Sequence, residues 1–180
     1  MKLPAEYKAL VSAFDSLPGI GERAAGRMAR WALNRTGGDE LAQALQSALL
    51  SIRPCERCQI YISEDHCSVC DDLARGHECL AVVAELEQAQ ILCDLGYSGQ
   101  LFVLHGVLSP VAGVGPSQLP LAALQQRVSS IKPNTVYLLL TGSVEGDVTA
   151  QYLQRFLLDS HTLMQSFSDF IAQPMIGGAK

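Results

Sequence analysis

The sequence lacks any apolar run approaching the roughly 18 residues that a membrane-spanning helix needs. It opens with MKLPAEYKALVSAF, which has neither an uninterrupted apolar stretch nor the small-residue cleavage site of a secretory leader. Internal repeats and low-complexity tracts are missing too. Nor is there an excess of positive charge: the net is −5 over 180 residues, which argues against a general polyanion glue. These absences lead us to expect a soluble cytoplasmic protein. In such a compartment the six cysteines point to metal binding or free thiols rather than disulfides.

What charge there is lies unevenly. From Met1 to Ile62 there are eight Lys and Arg against six Asp and Glu, a net of +2. From Ser63 onward there are five against twelve, a net of −7. A surface that meets a polyanion is therefore expected in the N-terminal third. Apolar residues make up 48% of the chain, enough for a substantial core.

Hydrophobic periodicity predicts three N-terminal helices. The first runs over residues 5–17, with Tyr7, Leu10, Val11, Phe14 and Leu17 on one face. The second covers about 22–34, with Ala25, Met28, Ala29 and Ala32 buried. The third covers about 39–52, capped by Asp39. After residue 76 the pattern alternates. Strands are expected over 80–84, 101–104 and 136–140. Helices are expected over 87–95, 119–130 and about 148–158. That order implies βαβ units and a parallel sheet. The Gly- and Pro-rich segment 106–117 reads as a surface loop.

Between the first two helices stands SLPGIGERAAGRMARWAL. Gly19 and Gly21 free the backbone for conformations closed to other residues and keep side chains away from the amides. The next helix begins there, so its unpaired N–H groups and its dipole point at the same spot, which suits a phosphate. Ile20 would peg the hairpin to the helices. Arg23, Arg27 and Arg30 follow along one side of the second helix. This is a helix-hairpin-helix pattern, which grips a nucleic-acid backbone without reading sequence. The plainer alternative is a tight inter-helix turn beside a solvated arginine face.

CERCQIYISEDHCSVC places Cys55, Cys58, Cys67 and Cys70 as two C-x2-C pairs eight residues apart. Two such knuckles complete a closed tetrahedral site for a structural zinc, whose binding supplies folding energy to a segment with little core; redox dithiols and an iron–sulfur cluster are the alternatives for the same cysteines. His66 is expected to be an exposed loop residue. Cys79 and Cys93 are expected to be buried free thiols.

VYLLLTGSVEGDVTA reads as a buried strand ending in Glu145 and Asp147, beyond the carboxyl end of a strand where open α/β sheets bind ligands. With Glu85 after LAVVA, these acids form the Glu plus acid-x-acid pattern of the TOPRIM domain of primases and topoisomerases, and such a set could hold Mg²⁺. The competing reading is a helix N-terminus whose acids suit the helix dipole.

Taken in order, LPGIG…AAGRMA, the 2-8-2 cysteine spacing, YSGQLFVLHGVLSPVAGVGPSQL and VEGDVTAQYL resemble the RecR family of bacterial recombination mediators over nearly the whole chain. The resemblance implies an α+β protein in several parts: a helix-hairpin-helix DNA-binding region over 1–53, a four-cysteine zinc finger over 54–72, a TOPRIM domain with a mainly parallel sheet over 78–173, and a short tail over 174–180. It implies no catalytic residues, so Mg²⁺ at the acids is not the expected outcome. It implies a homo-oligomeric ring, dimer or tetramer, that can encircle DNA. Partners of the RecO and RecF type would help to load RecA at single-strand gaps, and the TOPRIM acids would fall in a partner-binding region. The chain departs from the family pattern in places. Ala84 stands where the family has the first acid, with Glu85 one place later. Ala112 replaces an acid in the loop, and Gly142-Ser143 replace Asn-Pro. QPMIGGAK ends sooner than the family does. Two other readings remain open here: a Mg²⁺-dependent TOPRIM nuclease or primase-like enzyme, and a partner-binding module that has lost DNA binding.

Overall fold

A computed structural model of the chain describes residues 3–34, 37–157 and 161–173. It divides into two compact units, Met1–Ile52 and Arg53–Lys180. The segment 174–180, read above as a tail, lies outside the described residues. Among those described, no helix is long and apolar enough to cross a membrane.

The first unit is helical: α1 (Ala5–Asp15), α2 (Glu22–Ala32) and α3 (Gly37–Ser51). Helix α1 ends two residues before the expected Leu17, and Leu17 and Pro18 form the turn instead. Helix α2 buries Ala25 and Ala29 completely. These small side chains let it lie close to its neighbours, and Ala25 and Ala29 repeat at the one-turn spacing expected of a single face.

The second unit begins with a two-stranded antiparallel ribbon, β1 (Arg53–Pro54) and β2 (Tyr61–Ile62). A four-stranded sheet follows, built from β3 (Cys79–Val83), β4 (Gln100–Val103), β5 (Thr135–Thr141) and β6 (Thr162–Ser166). Its order is β4-β3-β5-β6, and every neighbouring pair is parallel. Residues Leu80 to Val83 and Leu101 to Val103 are fully buried. A parallel strand covered on both faces has no polar side, so these strands read as continuous apolar runs. Their side chains still alternate. Leu80, Val82, Leu138 and Leu140 join a core under α5 (Leu121–Ile131) and α6 (Val144–Phe156). Ala81, Val83 and Leu139 join a second core under α4 (Leu86–Asp94) and α7 (Phe167–Ile171).

The cysteine segment belongs to that second core. Cys55, Cys58, Cys67 and Val69 are buried together with the lower faces of β3, β4 and β5. The Val103 amide donates to the Cys58 carbonyl at 3.0 Å, and Tyr61 stacks on His105 with ring centroids 4.9 Å apart. The finger read from sequence as a separate piece is thus one layer of the sheet unit.

Three further differences from the sequence reading have physical causes. Helix α6 starts at Val144 rather than Val148, because the Ser143 hydroxyl accepts the Gly146 amide and caps the helix early. Strand β6 has no counterpart in the reading above: it is short, lies at the edge beyond β5, and carries Thr, Gln and Ser among its five residues. Cys79 and Cys93 are half-buried rather than buried, and Cys93 accepts a hydrogen bond from Arg75 at 3.1 Å.

Candidate nucleic-acid interface and metal centre

In the first unit the chain reverses at Pro18-Gly19-Ile20-Gly21. Gly19 has φ of +76°, a left-handed conformation that costs an L-residue about 1–2 kcal/mol. No atom lies within 4 Å of where a side chain at Gly19 or Gly21 would begin. The bend is therefore open on its outer side. Ile20 is half-buried and donates its amide to the Leu17 carbonyl at 3.1 Å. Gly21 is the N-cap of α2, and its carbonyl accepts the amides of Ala24 and Ala25 at 2.9 and 3.0 Å. No side chain caps this end. Among the described residues nothing accepts from the amides of Glu22 and Arg23, the first two of α2, so the positive end of the helix dipole faces outward.

Arg23, Arg27 and Arg30 are exposed. Among the described residues none of them pairs with a carboxylate; the ion pairs there involve Arg53, Arg57, His66 and Arg75. Glu22, in the first turn, is exposed and likewise unpaired. Open amides and free guanidinium groups share one side of α2, an arrangement whose chemistry suits phosphate oxygens.

In the second unit the four cysteine sulfurs lie within 4.8 Å of one another, with Cys58 Sγ and Cys67 Sγ 3.5 Å apart. At a Zn–S bond of about 2.3 Å a tetrahedral ion spaces its sulfurs by about 3.8 Å, close to the Cys58–Cys67 separation and within the spread of the four, so the set suits an ion of that kind. The Cys70 amide points at Cys67 Sγ at 3.5 Å. A hydrogen bond from Cys58, with the positive charge of Arg127 and Arg57, pulls the Cys70 thiol down to about 6. The same bond, with burial, pushes the Cys58 thiol up. Asp71 supports the knuckle from outside: it accepts the Cys67 amide at 2.7 Å and a bond from Arg57. His66 lies 3.0 Å from Asp71 and stays exposed, outside the sulfur set. Sequence reasoning missed Asp71 and Arg57. The available signal was a carboxylate directly after the last cysteine, where metal sites recruit outer partners.

The acids lie at the carboxyl end of the sheet, where β3 sends its chain outward to β4 and β5 lies on its other side. Glu85 is the N-cap of α4, in extended backbone. Glu145 and Asp147 lie in the first turn of α6. Ala84 follows Leu80 and Val82 on the face that carries α6. Glu85, one residue on, departs toward the face that carries α4. Glu145 accepts a hydrogen bond from the buried Ser109 hydroxyl, and Asp147 is exposed. Among the described residues the four cysteines are the group of His, Cys, Asp or Glu side chains close enough to share an ion; Glu85, Glu145 and Asp147 do not form one. Ser109 is a second residue whose part in the site sequence reasoning missed, although it stands in the quoted loop.

The chain matches the family model for the RecR helix-hairpin-helix over residues 7–49 and that for the Toprim domain over residues 80–167. It is 38% identical over 153 residues to recombination protein RecR of Pseudomonas syringae pv. tomato, covering 83% of this chain and 76% of the relative. It is 37% identical over 155 residues to recombination protein RecR of Coxiella burnetii, covering 81% and 75%. It is 35% identical over 161 residues to recombination protein RecR of Lactobacillus delbrueckii subsp. bulgaricus, covering 87% and 81%. With similarity that spans the bend, the knuckle and the sheet alike, the chain belongs to the RecR family.

Proposed function

We propose that this protein is a non-catalytic, DNA-binding mediator of recombination and repair in the cytoplasm. The observation that carries the reading is the open double-glycine bend, with its unengaged amides and the unpaired guanidinium groups of Arg23, Arg27 and Arg30. Amides and arginines meet phosphates rather than base edges, so the binding is independent of sequence and sensitive to salt. Zinc, held by Cys55, Cys58, Cys67 and Cys70, has a structural part: four sulfur ligands leave no open position for chemistry. Following the family, the protein works as a homo-oligomeric ring around DNA, with RecO- and RecF-type partners, to load RecA at single-strand gaps. Glu85, Glu145 and Asp147 then lie on the partner-binding edge of the sheet.

The nuclease or primase-like reading needs three convergent carboxylates around Mg²⁺. The engagement of Glu145 by Ser109 and the turn of Glu85 toward the α4 face speak against it. Two measurements test the proposal together. Sedimentation equilibrium is expected to give a mass that is a multiple of 19.4 kDa, and a strict monomer would rule out the ring. Incubating labelled DNA with the protein and Mg²⁺ is expected to leave it intact; cleavage that disappears in Asp147→Ala would establish the enzyme instead.

A further inference from the structure

The chain has one tryptophan, and it is not in a core. Trp31 is 54% exposed near the end of α2. It follows Arg27 by one helical turn and Arg23 by two, so it continues the arginine ridge. Its indole borders an open apolar cavity of about 380 Å³, with Phe14, Arg27, Met28 and Leu41 around it. The backbone of Gly37 supports the ring: a side-chain carbon there would come within 2.4 Å of the indole Cζ2. A bulky aromatic is thus held in place by the fold, yet left half open beside cations that have no partner among the described residues.

We propose that Trp31 and the adjoining cavity form a nucleobase-stacking site, and that the helix-hairpin-helix unit therefore prefers single-stranded to duplex DNA. This inference rests on the DNA-binding reading given above. The occupant follows from the chemistry. The ridge is cationic, which selects a polyanion. The tryptophan presents an aromatic surface one turn beyond the phosphate-binding arginines. Bases of a single strand are free to stack on such a surface, whatever their identity. In a duplex the base faces are already stacked within the helix, so the indole finds only backbone. The bend and the arginines grip either form; Trp31 adds affinity for the single strand alone.

Because Trp31 is the sole tryptophan, its fluorescence reports the site directly in the intact protein. The full chain is titrated at low salt with a dT oligonucleotide, and separately with a blunt duplex of the same strand length. Quenching by the oligonucleotide and little change with the duplex are expected. Trp31→Ala is expected to weaken oligonucleotide binding about tenfold or more, measured by anisotropy of labelled DNA, and to leave duplex binding unchanged. Trp31→Phe keeps an aromatic face and is expected to retain most of the affinity. Arg23→Ala/Arg27→Ala is expected to weaken both. If Trp31→Ala binds both DNAs as the parent does while the arginine variant is weakened, the stacking site is overturned and the DNA-binding reading stands. If the arginine variant also binds normally, the DNA-binding reading fails first. An emission that tracks protein concentration without DNA, and does not change when DNA is added, assigns the indole to a contact between copies and overturns the proposal. Should Trp31→Ala not fold, absence of quenching in the parent protein decides against it.

Discussion

The Ser109 hydroxyl donates a hydrogen bond to the Glu145 carboxylate, joining two residues 36 positions apart. A second tie runs beside it: the Leu108 amide donates to Thr149 Oγ1 at 2.8 Å, and that hydroxyl donates to the Glu145 carbonyl at 2.7 Å. Together they dock the loop after β4 onto the first turn of α6. Glu145 acts here as a structural acceptor. Its amide isostere keeps an accepting oxygen, whereas removing the serine hydroxyl leaves a half-buried carboxylate short of a donor. Ser109→Ala is therefore expected to cost about 1–3 kcal/mol and Glu145→Gln less. Hydrogen exchange across residues 109–114 checks this: the loop amides should exchange faster in Ser109→Ala, and unchanged exchange would show that the tie does not hold the loop.

Two glycines answer to different constraints, and substitution separates them. A side-chain carbon on Gly146 would lie 1.9 Å from the Leu140 carbonyl oxygen, so α6 can cross the end of β5 only without one. Gly146→Ala is expected to destabilise the sheet unit by about 2 kcal/mol or more, since backbone on both sides would have to move. Gly19→Ala meets open space and pays only for its φ of +76°, about 1–2 kcal/mol, confined to the first unit. Urea denaturation of the two variants, with α-helical and sheet signals followed separately, is expected to show that division.

Metal analysis of the purified protein is expected to find one zinc per chain. Because Cys55, Cys58 and Cys67 share a core with Ala81, Val83 and Leu139, chelation should lower the melting temperature of the whole sheet unit, not only unfold a small appendage. Acid should do the same. Arg57, then the Cys67 amide, hold the Asp71 carboxyl below its usual range. A depressed carboxyl stabilises the fold above its unfolded value and loses that contribution as pH falls through the folded one. Zinc retained at low pH, or a chelator without effect on melting, would contradict this picture.

Much of this was legible in the sequence, and what was hidden has identifiable causes. The bend was readable because a proline followed by Gly-x-Gly interrupts two amphipathic helical patterns, and the cysteine cluster because two C-x2-C pairs bring four thiols to one place. The apolar runs around Leu80, Leu101 and Val136 gave away a buried parallel sheet. Strand β6 was hidden since an edge strand need not be apolar, and Thr162 to Ser166 are not. The early start of α6 was hidden in Ser143, whose capping role depends on where Gly146 falls in space. The union of finger and sheet rests on contacts such as Val103 to Cys58, which no local pattern encodes. The separation of Glu85 from Glu145 was foreshadowed by the one-residue slip past Ala84, because strand side chains alternate.

The central claim is that the bend and arginine ridge hold a phosphate backbone. The most direct test is the salt dependence of DNA affinity, measured for the parent protein and for Arg23→Ala/Arg27→Ala. If the ridge neutralises phosphates, the slope of log K against log salt should fall in magnitude by about two in the variant, with weaker binding to every sequence alike. An identical slope and affinity for the two proteins would contradict the account.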